Sequence, residues 1–367
     1  MSAARRARVR EAVAARELSA LVVTHLPSVR YLTGYVGSNG IAVIAPEGTV
    51  LLTDARYAVA ARGQVDDGVE VVVGARDLLG DTAAAVTRLT PRDATVGVEG
   101  AHMTMNQGAR LTALLAETGD TARTLSPQTG IVEGVRAVKD AEEIAAVRRA
   151  AAVADDALAD VLAQGVVGRT EREVAWAVLE ALHRHGAEGA SFETIVAAGP
   201  NAARPHAVPT GARIPGDTLL TIDMGAVVDG YCSDMTRTLV LGDPGPDLAE
   251  AYRVCHRAQR AALDAVRPGI ACADLDRVAR GVIEEAGLGE AFGHGLGHGV
   301  GLEIHEAPRL GREAPGTLAP GMIVTIEPGI YLEGRGGVRI EDLVAVTEDG
   351  AEILSSHPKD APPRGGE

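Results

Sequence analysis

Aromatic rings and positive charge are what this chain has least of. Of its 367 residues 2% are aromatic, with one tryptophan and two phenylalanines. Its core must therefore be built from Ala, Val, Leu and Ile. Lysine and arginine number 35 against 50 acidic residues, a formal net charge of −15. That excess argues against nucleic acid as the main partner and favours a soluble, self-repelling surface. Cysteine is scarce too. Cys232, Cys255 and Cys272 are an odd number and show no C-x-x-C spacing, which fits a reducing compartment. No apolar run is long enough to span a membrane. The start Met1-Ser2-Ala3-Ala4-Arg5-Arg6 leads into an amphipathic pattern rather than the apolar stretch of a signal peptide. A cytoplasmic protein is expected, with no membrane partner.

The length allows two domains. Over residues 5–125 helix-like and strand-like segments alternate. Helices are expected over Arg5–Glu17, Leu78–Leu89 and Gln107–Glu117. Strands are expected at Ala20–Thr24, Val69–Val73 and Thr95–Val98, with a hairpin at Ile41–Ile44 and Thr49–Thr53 around Pro46-Glu47-Gly48. Arg30-Tyr31-Leu32-Thr33-Gly34 and Asp54-Ala55-Arg56-Tyr57 read as polar loop and cap segments. A long helix over Ala141–Ala163 opens the second part, with Asp140 and Glu143 placed as a capping box; Thr170 and Glu173 repeat that signal. Helix pairs followed by strands then occur twice, the order of an α+β domain. The tail, residues 358–367, is rich in Pro, Gly and charge and is expected to fray.

The second part carries an internal repeat. Thr221-Ile222-Asp223-Met224-Gly225 returns 104 residues later as Thr325-Ile326-Glu327-Pro328-Gly329. The same offset aligns Gly165-Val166 with Gly269-Ile270, and Val178-Leu179-Glu180 with Val282-Ile283-Glu284. Two halves, each a helix then a strand, would pack about a pseudo-twofold axis. An acid at the end of an apolar strand in each half would point at that axis. Converging carboxylates repel unless cations lie between them.

Other residues join these acids. Asp223 and Asp234 lie on strand-like segments on either side of an Asp229-Gly230 turn and are expected nearly opposite each other, sharing a face with Thr221, Thr236 and Thr238. Arg339 and Glu341 alternate with Val338 and Ile340, so both are expected on one face. The arginine could hold a carboxylate by a bidentate pair. His294, His298 and His305 fall within twelve residues, the first two inside the glycine-rich stretch Gly293-His294-Gly295-Leu296-Gly297-His298-Gly299. Those glycines are not spaced as a dinucleotide fingerprint. Four carboxylates and an imidazole form an oxygen-rich set, suited to two Mn²⁺ or Co²⁺ ions better than to a structural zinc. Two such ions roughly 3.5–4 Å apart can share a hydroxide and clamp a tetrahedral oxyanion.

These residues resemble the pita-bread metallopeptidases, the M24 family of methionine aminopeptidases, aminopeptidase P, prolidases and metal-free creatinases. The family's five ligands, Asp, Asp, His, Glu and Glu in chain order, match Asp223, Asp234, His298, Glu327 and Glu341. Arg30–Gly34 and Asp54–Tyr57 resemble a creatinase-type N-terminal domain, which methionine aminopeptidases lack; creatinases lack the ligands. The Xaa-Pro group remains. The resemblance implies an α+β pita-bread catalytic domain with an internal pseudo-twofold repeat over 129–357. It is preceded by an α/β, creatinase-like and RNase H-like domain over 1–128. It also implies a hydroxide between two divalent ions, Mn²⁺ in preference to Co²⁺ or Zn²⁺, that attacks the carbonyl before proline. Glu327 would shuttle the proton, and His206 and His305 would steady the tetrahedral intermediate. His294 would line the substrate pocket, Arg339 would orient the acids, and Arg309 matches an arginine of some prolidases that reads the substrate carboxylate. The implied partners are a proline-containing peptide and a second copy of the chain. Two other readings stay open: an aminopeptidase without proline preference, and a non-catalytic pita-bread protein that binds a partner. Five intact ligands argue against the latter.

Overall fold

A computed structural model describes residues 2–117 and 122–361. It divides into two units, Met1–Arg136 and Ala137–Glu367.

The first unit runs α1 (Ser2–Ala14), β1 (Ala20–Val23), α2 (Leu26–Thr33), β2 (Ile41–Ala45), β3 (Gly48–Asp54), α3 (Ala58–Gln64), β4 (Val69–Gly74), α4 (Leu79–Leu89), β5 (Thr95–Glu99), α5 (Met105–Glu117), β6 (Thr124–Gln128) and α6 (Ile131–Arg136). Its strands form one sheet in the order β4-β3-β2-β1-β5-β6. β1, β5 and β6 are parallel neighbours. β1 is buried at every position, which explains its unbroken apolar run. α1 stops short of the expected Glu17, because Glu17 takes a left-handed φ of 57° that no helix can continue through. The Arg30–Gly34 segment is a correction: Arg30 to Thr33 close α2 rather than forming a loop. Pro27 starts that helix and Gly34 ends it at φ 79°. Eight residues give too few turns for the helical period to stand out. Asp54 is a cap, as expected; its side chain accepts from Arg56 N.

In the second unit α7 (Ala141–Ala163) and α8 (Glu171–Arg184) begin at the two expected capping boxes. Asp140→Ala should therefore cost about 0.5–2 kcal/mol. Urea unfolding followed by circular dichroism would read this. Fluorescence would not, since Trp176, the chain's one tryptophan, is 70% exposed. The remaining elements are β7 (Gly189–Ala190), β8 (Ile195–Ala198), β9 (Thr218–Met224), β10 (Ala226–Val228), β11 (Tyr231–Cys232), β12 (Met235–Leu241), α9 (Pro246–Ala265), α10 (Cys272–Glu285), β13 (Gly297–Gly299), β14 (Glu306–Leu310), β15 (Ile323–Ile326), β16 (Gly329–Leu332), β17 (Gly336–Arg339), β18 (Asp342–Val346) and β19 (Ala351–Ile353).

The repeat is visible in this unit. β8-β9-β12 and β13-β15-β18 are antiparallel triplets, with β9 and β15 central. A helix pair precedes the central strand of each half, α7–α8 and α9–α10. Gly165 and Gly269 take φ of 77° and 79° after the first helix of each pair. Gly168 N donates to Ile214 O in one half and Gly269 N to Leu318 O in the other. Ile214 and Leu318 are 104 residues apart, whereas Gly168 and Gly269 are 101 apart, so the acceptors keep the offset of the repeat and the donors shift by three. Each half buries its own apolar cluster, one around Leu158, Val178 and Ile222, the other around Val254, Leu275 and Ile326.

The tail departs from expectation where it is described. Lys359 Nζ lies 2.5 Å from Asp342 Oδ2. Val240 N donates to Asp360 Oδ2 at 2.8 Å, and Tyr252 OH donates to Asp360 O at 2.9 Å. These contacts tie Lys359 and Asp360 to β12, β18 and α9; residues 362–367 lie outside the described part.

Candidate metal centre

The acids lie at strand ends of the two triplets, Asp223 near the end of β9, Asp234 just before β12, Glu327 just past β15 and Glu341 just before β18. In β9, Asp223 and Thr221 face one way and Leu220 and Ile222 the other, into the apolar cluster. The register pairs Asp223 with Thr236, not with Asp234. Asp229 and Gly230, with φ of 51° and 75°, form the turn. The midpoint of Asp223 and Asp234 falls one residue from the centre of that turn. This moves the register by two, so Asp234 lies diagonal to Asp223 on the same face. Gly225 is required here. A Cβ on it would overlap Ser233 O and Ser191 Oγ.

Oxygens of Asp223, Asp234 and Glu341 lie within 4.8 Å of one another, and all three residues are buried. Glu327, just past β15, comes from the opposite half. Its Oε1 lies 3.3 Å from His298 Nε2, and Asp234 Oδ2 is 3.6 Å from the same nitrogen. The five groups thus form two overlapping sets that meet at Asp234. Arg339 closes β17 while Glu341 lies in the link to β18, so the two do not share one strand as expected. Both still reach the site.

Hydrogen bonds orient each group. Arg339 donates from Nη2 to Asp223 Oδ2 (2.5 Å), from Nε to Thr236 Oγ1 (3.1 Å), and from Nη1 to Tyr331 OH (2.8 Å) and Pro205 O (3.1 Å). Thr236 Oγ1 donates to Glu341 Oε2 at 2.7 Å. Thr325 Oγ1 donates to Glu327 Oε1 and accepts from His298 N, both at 3.0 Å. His298 Nδ1 lies 3.1 Å from Gly299 O; donation there points Nε2 at the carboxylates, where it donates to Glu327 when protonated and offers its lone pair to a cation when not. Because Tyr331 OH accepts from Arg339, it can donate to His294 Nε2, 3.0 Å away, while His294 Nδ1 donates to Gly295 O at 2.8 Å. That pattern holds His294 neutral.

Burial and mutual repulsion dominate the electrostatics. Burial, then the charges of Glu341 and Asp223, push Asp234 well above the usual carboxylate range. Burial, then Glu327 and Asp223, do the same to Glu341. Asp223 is raised by burial against the pull of Arg339. Glu327 ends lowered: burial would raise it, but the hydrogen bond and charge of His298 outweigh that. Burial lowers His298 while Glu327 raises it further, for a net rise. Burial lowers His294 and His305, and the His206 charge adds to both. Burial pushes the Tyr331 phenol up to about 12.

The donor set fits divalent cations. Asp223 Oδ1 is buried without a hydrogen-bond partner, beside carboxylates that burial and like charge keep from ionising together. A cation supplies what that oxygen lacks and removes the repulsion.

Of the other expected residues, His305 stacks edge-on against His298 with ring centroids 4.3 Å apart. Arg309 pairs with His298 across β13 and β14 and helps lower His305. His206 follows Pro205, whose carbonyl holds Arg339. Tyr331 escaped the sequence reading. Its signal was the pair Gly329 and Gly337, where any Cβ would strike the tyrosine ring or hydroxyl.

Residues 145–348 match Metallopeptidase family M24, and residues 5–138 match the Creatinase/Prolidase N-terminal domain. The chain belongs to metallopeptidase family M24. It is 44% identical to the Xaa-Pro dipeptidase of Pyrococcus furiosus over 61% of this chain and 65% of that one. The structure resembles the Xaa-Pro dipeptidase from Bacillus anthracis with a TM-score of 0.91, at 35% identity, covering 98% of this chain and 99% of that one. It also resembles the X-Pro aminopeptidase from Thermotoga maritima with a TM-score of 0.84, at 34% identity, covering 94% and 97%. The expected architecture, a creatinase-type N-terminal domain followed by a pita-bread domain, is present. This M24 member is a metal-dependent peptidase, and the non-catalytic reading falls away. Among the described residues no helix is long and apolar enough to cross a membrane.

Proposed function

We propose that this M24 peptidase hydrolyses the bond before proline, with two divalent ions held by Asp223, Asp234, His298, Glu327 and Glu341. The observation that carries the reading is the convergence of these five groups, with Asp234 common to both sets. Relatives named as Xaa-Pro dipeptidase and X-Pro aminopeptidase support the proline preference. The oxygen-rich donors favour Mn²⁺. When bound, the ions supply Lewis acidity and activate the attacking water.

The chain's own groups do the rest. Glu327, whose Oε1 accepts from Thr325 Oγ1 and lies 3.3 Å from His298 Nε2, would take the water's proton and return it to the leaving imino nitrogen. His206 and His305 donate to the developing oxyanion. His294, held neutral by Tyr331, lines the pocket without adding charge. Arg339 fixes Asp223. Arg309 meets the free carboxylate of a dipeptide, which favours the dipeptidase reading.

An aminopeptidase acting on longer Xaa-Pro peptides is the second reading, favoured by the Thermotoga maritima neighbour. Hydrolysis of Ala-Pro beside Ala-Pro-Ala in Mn²⁺, with an EDTA-treated control, separates the two. Cleavage of the dipeptide alone supports the first reading, and Arg309→Ala should then raise KM more than it lowers kcat. Cleavage of the tripeptide, abolished by EDTA, supports the second. Cleavage of neither, with metal bound, overturns the proline assignment.

A further inference from the structure

The first unit carries a cluster that the peptidase reading leaves unused. His25, His102 and Glu133 each offer a ligand atom, and these atoms lie within 4.8 Å of one another. The two imidazoles stack with centroids 3.8 Å apart and planes 12° apart. His102 Nε2 is 3.4 Å from Glu133 Oε1.

Their position in the fold is not arbitrary. His25 follows β1, His102 follows β5 and Glu133 follows β6. These three strands are parallel neighbours, so the three residues gather at one carboxyl edge of the sheet. Open α/β sheets place their ligands at that edge.

A second observation points to the same spot. Glu99, the last residue of β5, is 5% exposed. Its Oε2 accepts from Thr24 N at 2.7 Å and from His25 N at 2.8 Å. Its Oε1 is buried with no hydrogen-bond partner. Glu99 lines one small cavity together with His102 and Glu133. A buried carboxylate oxygen without a partner is costly, and a water on a nearby cation would supply the missing donor. His25 Nδ1 lies 3.2 Å from Ser28 Oγ, the kind of contact that orients a metal-bound imidazole.

We propose that His25, His102 and Glu133 bind a divalent transition ion of the Zn²⁺ class, with Glu99 accepting from a water on that ion. Two imidazoles and a carboxylate, with a fourth position open to water, are a zinc donor set. Ligand atoms around tetrahedral zinc stand roughly 3.3 Å apart, given bonds of about 2.0–2.1 Å. The stacked rings have their lone pairs side by side, so closing on one ion requires the His102 ring to turn out of the stack and Glu133 to follow; their side chains are 31% and 32% exposed. The ion would tie the start of α2 to the turn after β5 and to α6, a structural role apart from the peptidase centre.

The test compares the full chain with its His102→Ala/Glu133→Gln variant. Both are stripped, loaded with Mn²⁺, dialysed against Zn²⁺ at micromolar concentration and analysed for metal. The parent should retain one more equivalent of metal than the variant. Added Zn²⁺ should raise the unfolding temperature of the Mn²⁺-loaded parent and not that of the variant. Ala-Pro hydrolysis by the Mn²⁺-loaded forms should be equal, which shows that the variant is folded and that only this site was touched. Equal metal content in the two chains overturns the proposal. So does an equal Zn²⁺-dependent stabilisation, because the extra ion would then be held elsewhere.

Discussion

Asp234→Asn should abolish peptide hydrolysis, lowering kcat/KM at least about 10³-fold, and yet stabilise the metal-free protein at neutral pH. The first effect follows if Asp234 contacts both ligand sets: losing it forfeits several kcal/mol of charge stabilisation in the transition state, each 1.4 kcal/mol being about tenfold. The second follows from repulsion. Asp234 and Glu341 sit well above the ordinary carboxylate range because burial and neighbouring charge disfavour ionisation. A carboxyl whose folded pKa is raised contributes stability below its unfolded value, about 4. That contribution is lost as pH rises through the folded pKa. Metal-free parent should therefore weaken from about pH 4 upward. The asparagine variant should weaken less, and its advantage should grow toward neutrality. Mn²⁺ should reverse the order, since it stabilises only a chain that can bind it. The increment should grow with pH in the parent and be small in the variant. Thermal unfolding by circular dichroism between about pH 4.5 and 7.5, with Mn²⁺ or EDTA, reads both. A metal-free variant less stable than the parent at every pH would overturn the account.

Arg339→Met should be among the most destabilising single changes in the second unit, on the order of 3–5 kcal/mol. The guanidinium is 4% exposed and donates to Asp223, Thr236, Tyr331 and Pro205 O at once. Removing it leaves Asp223 buried beside like charges, with Oδ1 already unpartnered. It also frees Tyr331 to turn, so His294 loses the donor that holds it neutral. Arg339→Lys is the sharper probe. It keeps the charge but cannot reach four acceptors in fork geometry. With Asp223 a ligand as proposed, metal content should be retained while activity falls about 10- to 100-fold, the size expected when a contact behind a ligand is lost. If Arg339→Lys kept full kcat, the network would not be what positions Asp223.

Much of the site was readable because its signals are local or periodic. The capping boxes at Asp140 and Thr170 each span four residues. The repeat that pairs Asp223 with Glu327 is a fixed offset along the chain, and the helix pairs, strand triplets and paired glycines share it. The errors came where one residue of register or a few turns of chain decide the outcome. A one-residue misjudgement of the Asp229-Gly230 turn moved Asp234 from opposite Asp223 to diagonal. α2 is too short to show its period. Lys359 and Asp360 look like part of a solvated tail but are held by Asp342, Val240 and Tyr252.

The chain alone pointed to a candidate set of cation-binding residues, to the duplicated frame that carries them, and to the family. These come from residue chemistry and from spacings within or between similar segments. Only the tertiary structure decided which groups meet. Tyr331 reaches Arg339 and His294 because two glycines leave room for its ring. Asp234 stands between Asp223 and His298 because the two halves close face to face. His25, His102 and Glu133 converge because three parallel strands end at one edge. Contacts of that kind join residues far apart in the chain, and no local pattern encodes the distance between them.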